Sequence, residues 1–273
     1  MHKYAVVIPT RGRTDVLYDT MRAFMHQSLP PTLLVVVDNN EEFGPLHNGW
    51  KDNYVYSQVM FVRNHYDKPG IIHGDQTGLE IFNQFDFKVG ARWDDDLVPD
   101  VNCMEKLVGW VEDGGYAAAG GMYPGFDGVS PALGDGFSEY VGGDWAKELR
   151  TGDSNPRHLQ FFRWRGNNAL IPRHYLYSSF TFSVPRANLV GGFCTEYSPH
   201  SYRADTDFTL RLNEIWGGSK NQKLIVDTSA MATHLFAGGG TRDIVGDEKT
   251  KQKLHDLRLF HKRMRTMGIN PNF

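Results

Sequence analysis

Two unbroken apolar runs near the N-terminus, Tyr4-Ala5-Val6-Val7-Ile8 and Leu33-Leu34-Val35-Val36-Val37, constrain the fold more than any other feature of the sequence. Such runs fit strands covered on both faces, as in a parallel sheet. Between them Pro9-Thr10-Arg11-Gly12-Arg13 breaks the first strand. Thr14 can cap a helix, and Val16/Leu17, Thr20/Met21 and Phe24/Met25 recur at helical spacing. Strand, helix, strand is a right-handed crossover unit, the start of a doubly wound α/β sheet. The second strand ends at Asp38-Asn39-Asn40, at the carboxyl edge where open α/β sheets bind ligands.

The pattern continues with an expected strand over residues 59–62 and a helix from about Gln76 to Phe85. An alternating run from Phe85 to Trp93 reads as another strand. It ends in Asp94-Asp95-Asp96-Leu97-Val98-Pro99-Asp100. Pro99 suits a helix start, with Val101, Met104, Leu107, Val108 and Val111 as the apolar stripe. Residues 116–121 read as a core strand, and the Gly-, Asp- and Pro-rich segment 123–155 as a long loop of the kind used for lids and binding. From Arg157 to Val184 the chain is aromatic, basic and β-rich, which predicts antiparallel strands, His174 to Tyr177 among them. A helix over 205–216, a strand over 224–226 and a helical tail over 247–267, with Leu254, Leu257, Leu259 and Phe260 as its apolar side, complete the reading.

At 273 residues the chain can bury a sizeable core. A net charge of −3 gives no global attraction to nucleic acid or anionic membrane. Two cysteines, Cys103 and Cys194, argue against a disulfide scaffold and fit a reducing compartment. No apolar run approaches membrane-spanning length, and the expected address is cytoplasmic.

Three adjacent carboxylates at the end of a strand repel one another unless a cation joins them, and Mg²⁺ or Mn²⁺ are the natural candidates. The blander explanation is a solvated acidic turn or a helix N-terminus that attracts negative charge. The company of the triple Asp decides between them. Val6 to Arg13, Val35 to Asn39, Trp93 to Asp100, Leu189-Val190-Gly191-Gly192-Phe193 and Ala204 to Leu212 together resemble, in order, the motifs of a family-2 type glycosyltransferase of the GT-A fold. Ala204 stands where that family usually carries Glu. The resemblance implies a Rossmann-like, mostly parallel sheet flanked by helices, with a smaller antiparallel acceptor-side part. It implies one domain over 1–245, divided into a nucleotide-sugar half (1–121) and an acceptor half (122–245), followed by a basic helical tail (246–273).

It also implies site residues. Pro9, Thr10, Arg11, Arg13 and Asp38 would contact the nucleotide, with Asp94 and Asp95 beside them. Asp96 would coordinate the divalent metal, Asp94 would face the ribose or the metal's waters, and His234 would complete the coordination. Asp205 would be the general base of a single inverting displacement, with Asp207 as runner-up. The donor would be a nucleotide sugar, a UDP-sugar first, and the acceptor a glycan, a small molecule or a hydroxymethylated DNA base. Two basic features bear on that last choice. Arg157, Arg163, Arg165 and Arg173 are interleaved with Phe161, Phe162, Trp164 and Tyr175, and the tail carries Lys249, Lys251, Lys253, Arg258, Lys262, Arg263 and Arg265. A half-buried aromatic sheet and a solvated helix face are the more ordinary readings of both. Trp145 and Asp144 could line a sugar site. A nucleotidyltransferase would want a Gly-rich, Lys-containing phosphate loop that Gly12-Arg13 does not supply; a non-catalytic sugar- or nucleic-acid-binding module is the rival from another class.

Overall fold

A computed structural model describes residues 3–40, 58–67, 70–123, 170–176, 178–216, 223–235 and 245–269. The opening strand β1 (Tyr4–Thr10) is buried at every position, and the pleat explains why all seven residues had to suit burial. Ala5 and Val7 face one apolar core, while Tyr4, Val6 and Ile8 face another on the opposite side of the sheet. Helix α1 (Thr14–Met25) covers the second core with Leu17, Met21 and Phe24. Strand β2 (Leu33–Asp38) divides its side chains between the same two cores and pairs in parallel with β1, from Ala5–Leu33 to Thr10–Asp38.

Strand β3 (Val59–Arg63) adds a parallel edge beyond β2. Helix α2 (Ile71–Gln84) then crosses back over β1. It begins five residues earlier than the sequence suggests. Gly74 and Gly78 depress helix propensity by about 1 kcal/mol each, yet they are the contact face: a Cβ on Gly78 would lie 2.4 Å from Val7 Cβ, and one on Gly74 2.7 Å from Pro9 Cβ. Absence of side chains lets the helix rest directly on β1.

Strand β4 (Val89–Arg92) lies on the other side of β1, again in parallel. Phe85 is exposed, so the strand is shorter than the alternating run implies. After the triple Asp comes β5 (Leu97–Pro99), and helix α3 (Cys103–Glu112) starts only after it. Pro99 therefore closes a short edge strand rather than opening the helix; Met104, Leu107, Val108 and Val111 are buried as the stripe requires, while Val101 is exposed. Strands β6 (Ala118–Met122), β7 (Leu170–Arg173) and β8 (Phe180–Ser183), short helix α4 (Val184–Leu189), helix α5 (Ala204–Trp216), strand β9 (Leu224–His234) and helix α6 (Gly246–Thr266) follow.

Among the described residues the sheet has nine strands in the order β3-β2-β1-β4-β8-β6-β9-β5, with β7 also paired to β9. The pairings set β1, β2, β3, β4, β6 and β9 in one direction and β5, β7 and β8 in the other. The antiparallel share is thus confined to the half beyond β4. Residues 174–176 are not strand, contrary to expectation. The long loop expected over 124–155 and the aromatic basic run 157–169 lie outside the described residues.

On the α2 side the core is aromatic. Phe193 stacks on Phe208 with ring centroids 3.9 Å apart, and Phe182 meets both edge-on. Gly191 and Gly192, with φ of +81° and +68°, end α4 in the left-handed conformation and turn Phe193 inward. Among the described residues no helix is long and apolar enough to cross a membrane.

Candidate active site

The chain leaves β1 toward β2 on one side, and β4 joins β1 on the other. Strand order therefore reverses between β1 and β4, and the crevice at their carboxyl ends is where such sheets take ligands. Thr10 and Arg13 emerge there from β1, and Asp94, Asp95 and Asp96 from β4.

The triple Asp turn is held from below. Trp93, fully buried between Phe24 and Tyr123, donates its indole N–H to the Leu97 carbonyl at 2.7 Å, closing the turn around the carboxylates. The three side chains then diverge. Asp95 is buried and accepts from Thr10 Oγ1 at 2.7 Å and Arg13 Nε at 3.1 Å, while Thr20 Oγ1 bonds its backbone carbonyl at 2.9 Å. Burial pushes its carboxyl up to about 6 against the pull of Arg13 and Thr10. Arg13 reaches on to Asp96 Oδ2 at 2.9 Å, so one guanidinium joins two of the three carboxylates. Asp94 is the most accessible of the three. Burial works to raise its carboxyl, but Arg92, the Ser178 hydroxyl, His234 and Arg13 together hold it below the usual carboxylate value.

His234 arrives from 138 residues further along by a specific register. β5 and β9 pair antiparallel with Leu97 opposite His234, and Leu235 N–H donates to the Asp96 carbonyl at 2.8 Å. This sets His234 Nε2 3.7 Å from Asp96 Oδ1. Two ligands of one ion, each bonded at about 2.1 Å, can be that far apart. The carboxylate oxygen suits Mn²⁺ or Mg²⁺, and an imidazole nitrogen beside it favours Mn²⁺, the softer of the two. Among the described residues no group of three or more His, Cys, Asp or Glu side chains could hold a metal by itself. An ion at this pair would need oxygens from a bound diphosphate or from water, the usual arrangement for a substrate-bridging Mg²⁺.

Asp38 ends β2 almost fully buried. Its Oδ1 accepts from the backbone N–H of Asn40 at 2.8 Å and from the Asn40 side-chain amide at 2.6 Å, while its buried Oδ2 has no hydrogen-bond partner among the described residues. Asn39 and Asn64 bond to each other beside it at 2.7 Å. A buried carboxylate oxygen without a donor costs desolvation free energy that a ligand N–H or O–H would recover. Pro9 is buried at the end of β1, and Arg11 is half-buried in the loop after it.

Asp205 lies in the first turn of α5, half-buried, and Asp207 in the same turn is fully buried. Ser178 N–H donates to Asp205 Oδ2 at 2.9 Å and Thr206 N–H to Oδ1 at 2.7 Å. Asp207 instead binds Arg211 Nε at 3.2 Å and, from α6, Arg263 Nε at 3.2 Å. Ala204 is buried in the aromatic core, where the larger, charged Glu of the family pattern would not suit the surroundings. Trp145, Asp144, Arg157, Phe161, Phe162, Arg163, Trp164 and Arg165 fall outside the described residues. Arg173 is buried in β7 and Tyr175 packs against the α2-side core, so neither is a free surface group.

Three further residues belong to the site that the sequence did not single out for it. Arg92 is buried and donates from Nε to Asp75 Oδ2 of α2 at 3.1 Å. Its Nη1 lies 3.2 Å from Asp94 Oδ1 and also donates to the Ser178 carbonyl. Burial pushes the Asp75 carboxyl up to about 7 despite Arg92. Arg92 was legible in part: it precedes Asp94 by two residues, the spacing that places side chains on one face of a strand. Asp75 and Ser178 carried no signal of their own.

The arrangement of sheet, switch point and acidic turn is that of the GT-A glycosyltransferase fold, and the chain has that fold. Solved structures it resembles include the 1–349 fragment of TarS from S. aureus in complex with UDP-GlcNAc, at a TM-score of 0.63 and 11% identity over 96% of this chain and 66% of that one. A second is the mannosyltransferase PcManGT from Pyrobaculum calidifontis in complex with GDP-Man and Mn²⁺, at a TM-score of 0.59 and 12% identity over 95% of this chain and 64% of that one. This chain spans between 39% and 66% of the length of such structures. No family model and no curated protein sequence matches it.

Proposed function

We propose that this protein is a divalent-metal-dependent glycosyltransferase that moves a sugar, with inversion, from a nucleoside-diphosphate sugar to an acceptor hydroxyl. The observation that carries the reading is the convergence at one switch point of an Asp38 carboxylate oxygen without a partner among the described residues, an Asp96–His234 donor pair and a half-buried carboxylate on Asp205. The solved structures of this fold bound to UDP-GlcNAc and to GDP-Man with Mn²⁺ support it.

Asp38 would accept a hydrogen bond from the nucleobase or ribose, and Thr10, Arg11 and Arg13 would line the nucleotide's path across the end of β1. Asp96 and His234 would hold the metal, with Asp94 directed to its waters or the ribose; when bound, it neutralises charge on the departing diphosphate. Asp205 takes the proton of the acceptor hydroxyl as the acceptor oxygen bonds to the anomeric carbon. The bond from that carbon to the diphosphate oxygen breaks with its electron pair leaving on the diphosphate, which inverts the centre. Half-burial of Asp205 leaves it reachable by a hydroxyl, whereas Asp207 is sealed by two arginines.

Thermal unfolding with Mn²⁺ across nucleoside diphosphates and nucleotide sugars tests the reading. A ligand at about 100 times its Kd stabilises the native state by about 2.7 kcal/mol. The expected outcome is a rise in Tm with UDP or a UDP-sugar that EDTA abolishes. Absence of a shift with every diphosphate would overturn the proposal.

A further inference from the structure

Ser178 makes three polar contacts at once. Its N–H donates to the base candidate Asp205 at 2.9 Å, its hydroxyl donates to Asp94, and its carbonyl accepts from Arg92, which itself pairs with Asp94. Asp94 and Asp205 come from opposite halves of the fold, the end of β4 and the start of α5. No hydrogen bond or ion pair between them is found among the described residues. Ser178 connects them through a backbone φ of +55°. That region is disfavoured for a residue with a Cβ, and such residues gather where surrounding contacts over-determine them. The next residue, Ser179, is fully buried: its Oγ accepts from Asp94 N–H at 2.9 Å, and its carbonyl accepts from the Tyr123 hydroxyl at 2.8 Å. The strained residue is thus held by β4, the acidic turn and α5, and its neighbour Ser179 by Tyr123 just after β6.

We propose that Ser178 is a positioning residue that ties the donor-side carboxylate Asp94 to the acceptor-side carboxylate Asp205, setting the two halves of the site in register. The inference rests on the transferase reading. Its physical content is that the hydroxyl serves geometry at the site while the left-handed backbone costs stability. Ser178→Gly keeps the N–H to Asp205 and the carbonyl for Arg92, relieves the strain and removes only the hydroxyl. Ser178→Ala removes the same hydroxyl and keeps the strain.

Two measurements test this. Tm without ligand and donor cleavage, with UDP-GlcNAc and GDP-mannose as probes and Mn²⁺ present, are compared across wild type and both variants. The expected result is a Tm about 2–4 °C higher for Ser178→Gly than for Ser178→Ala, since both lose the hydroxyl and only glycine relieves the backbone. Turnover falls in both, toward the about 10²-fold that a misplaced group can cost, with donor KM nearly constant. Turnover that follows Tm instead, preserved in Ser178→Gly and reduced in Ser178→Ala, would show a merely structural residue and overturn the inference. A wild-type chain that cleaves neither donor and binds no diphosphate would overturn the transferase reading. The tie itself is read separately in a crystal structure of Ser178→Gly. Displacement of Asp94 relative to Asp205 supports it; unchanged positions of both side chains overturn it whatever the reaction.

Discussion

Asp205 and Asp207 stand two residues apart in the first turn of one helix, and the fold treats them in opposite ways. Asp205 faces the switch-point crevice, half-buried, with its oxygens bonded among the described residues by neutral groups, the Ser178 and Thr206 N–H and the Thr206 hydroxyl. Asp207 faces the C-terminal helix, fully buried, and is charge-paired to Arg211 and Arg263. A carboxylate that must take and release a proton needs access and no direct ion pair; one that pins two elements together needs the reverse. Residue type and helix position are shared. The partners make the difference.

Replacement of each acid should separate chemistry from stability. Asp205→Asn retains the side-chain shape but cannot accept the proton, so turnover should fall by about 10²–10⁴-fold while Mn²⁺-dependent diphosphate binding, read as a Tm shift, is unchanged. Binding lost in that variant would mean that the donor and base roles are wrongly divided. Asp207→Ala leaves two guanidinium groups without their buried partner and should cost about 3–5 kcal/mol in denaturant unfolding. The fraction that stays folded should retain its activity per molecule. A stable but inactive Asp207→Ala would exchange the two roles.

Arg263→Leu sharpens the same comparison from the other side. Arg263 is partly exposed and Asp207 keeps Arg211, so the loss should be smaller, about 1.5–3 kcal/mol for one charge-assisted bond. The fully buried Asp256 of α6 accepts the N–H of Ser198 at 2.7 Å and of Tyr202 at 2.8 Å, in the segment that leads into Asp205. Unfolding with two separate transitions in Arg263→Leu would mark residues 246–273 as an independent tail, and a single transition as part of the domain.

How much of this was legible follows from the range over which each cause acts. β1, β2 and the triple Asp were readable because their burial and charge are properties of five to ten consecutive residues. The α5 acids were readable as a pair, and Arg211 at i+4 from Asp207 was visible on the helix. Arg263, 56 residues away, was not, so only the family resemblance ranked Asp205 ahead of Asp207. Pro99 misled because a proline before an apolar stripe suits a first helical turn equally well as an edge strand, and β5 exists only through its pairing with β9. α2 began early because its glycines serve packing against β1, a tertiary effect that overrides their propensity. Ser178 was invisible because its significance lies in a backbone angle.

Asp75 gives the most specific effect, since it shares Arg92 with Asp94. Burial is the largest influence on its carboxyl and outweighs Arg92, whose attraction is divided with Asp94 and Asp205. Its folded pKa of about 7 lies above the ordinary value of 3.8, so the native state holds a proton over that interval that the unfolded chain has released. Stability tied to this proton is therefore fully present below about pH 4 and lost as pH rises through about 7. Asp75→Asn mimics the protonated form at every pH. Subtracting its Tm–pH curve from that of wild type cancels the other carboxylates, Asp95 included, and the difference should change between about pH 4 and 7 in the sense of relative destabilisation of wild type at the alkaline end. A flat difference would mean that Arg92 keeps Asp75 ionised throughout, that burial does not prevail over the ion pair, and that the buried half of the site carries a permanent charge the accessible half must balance.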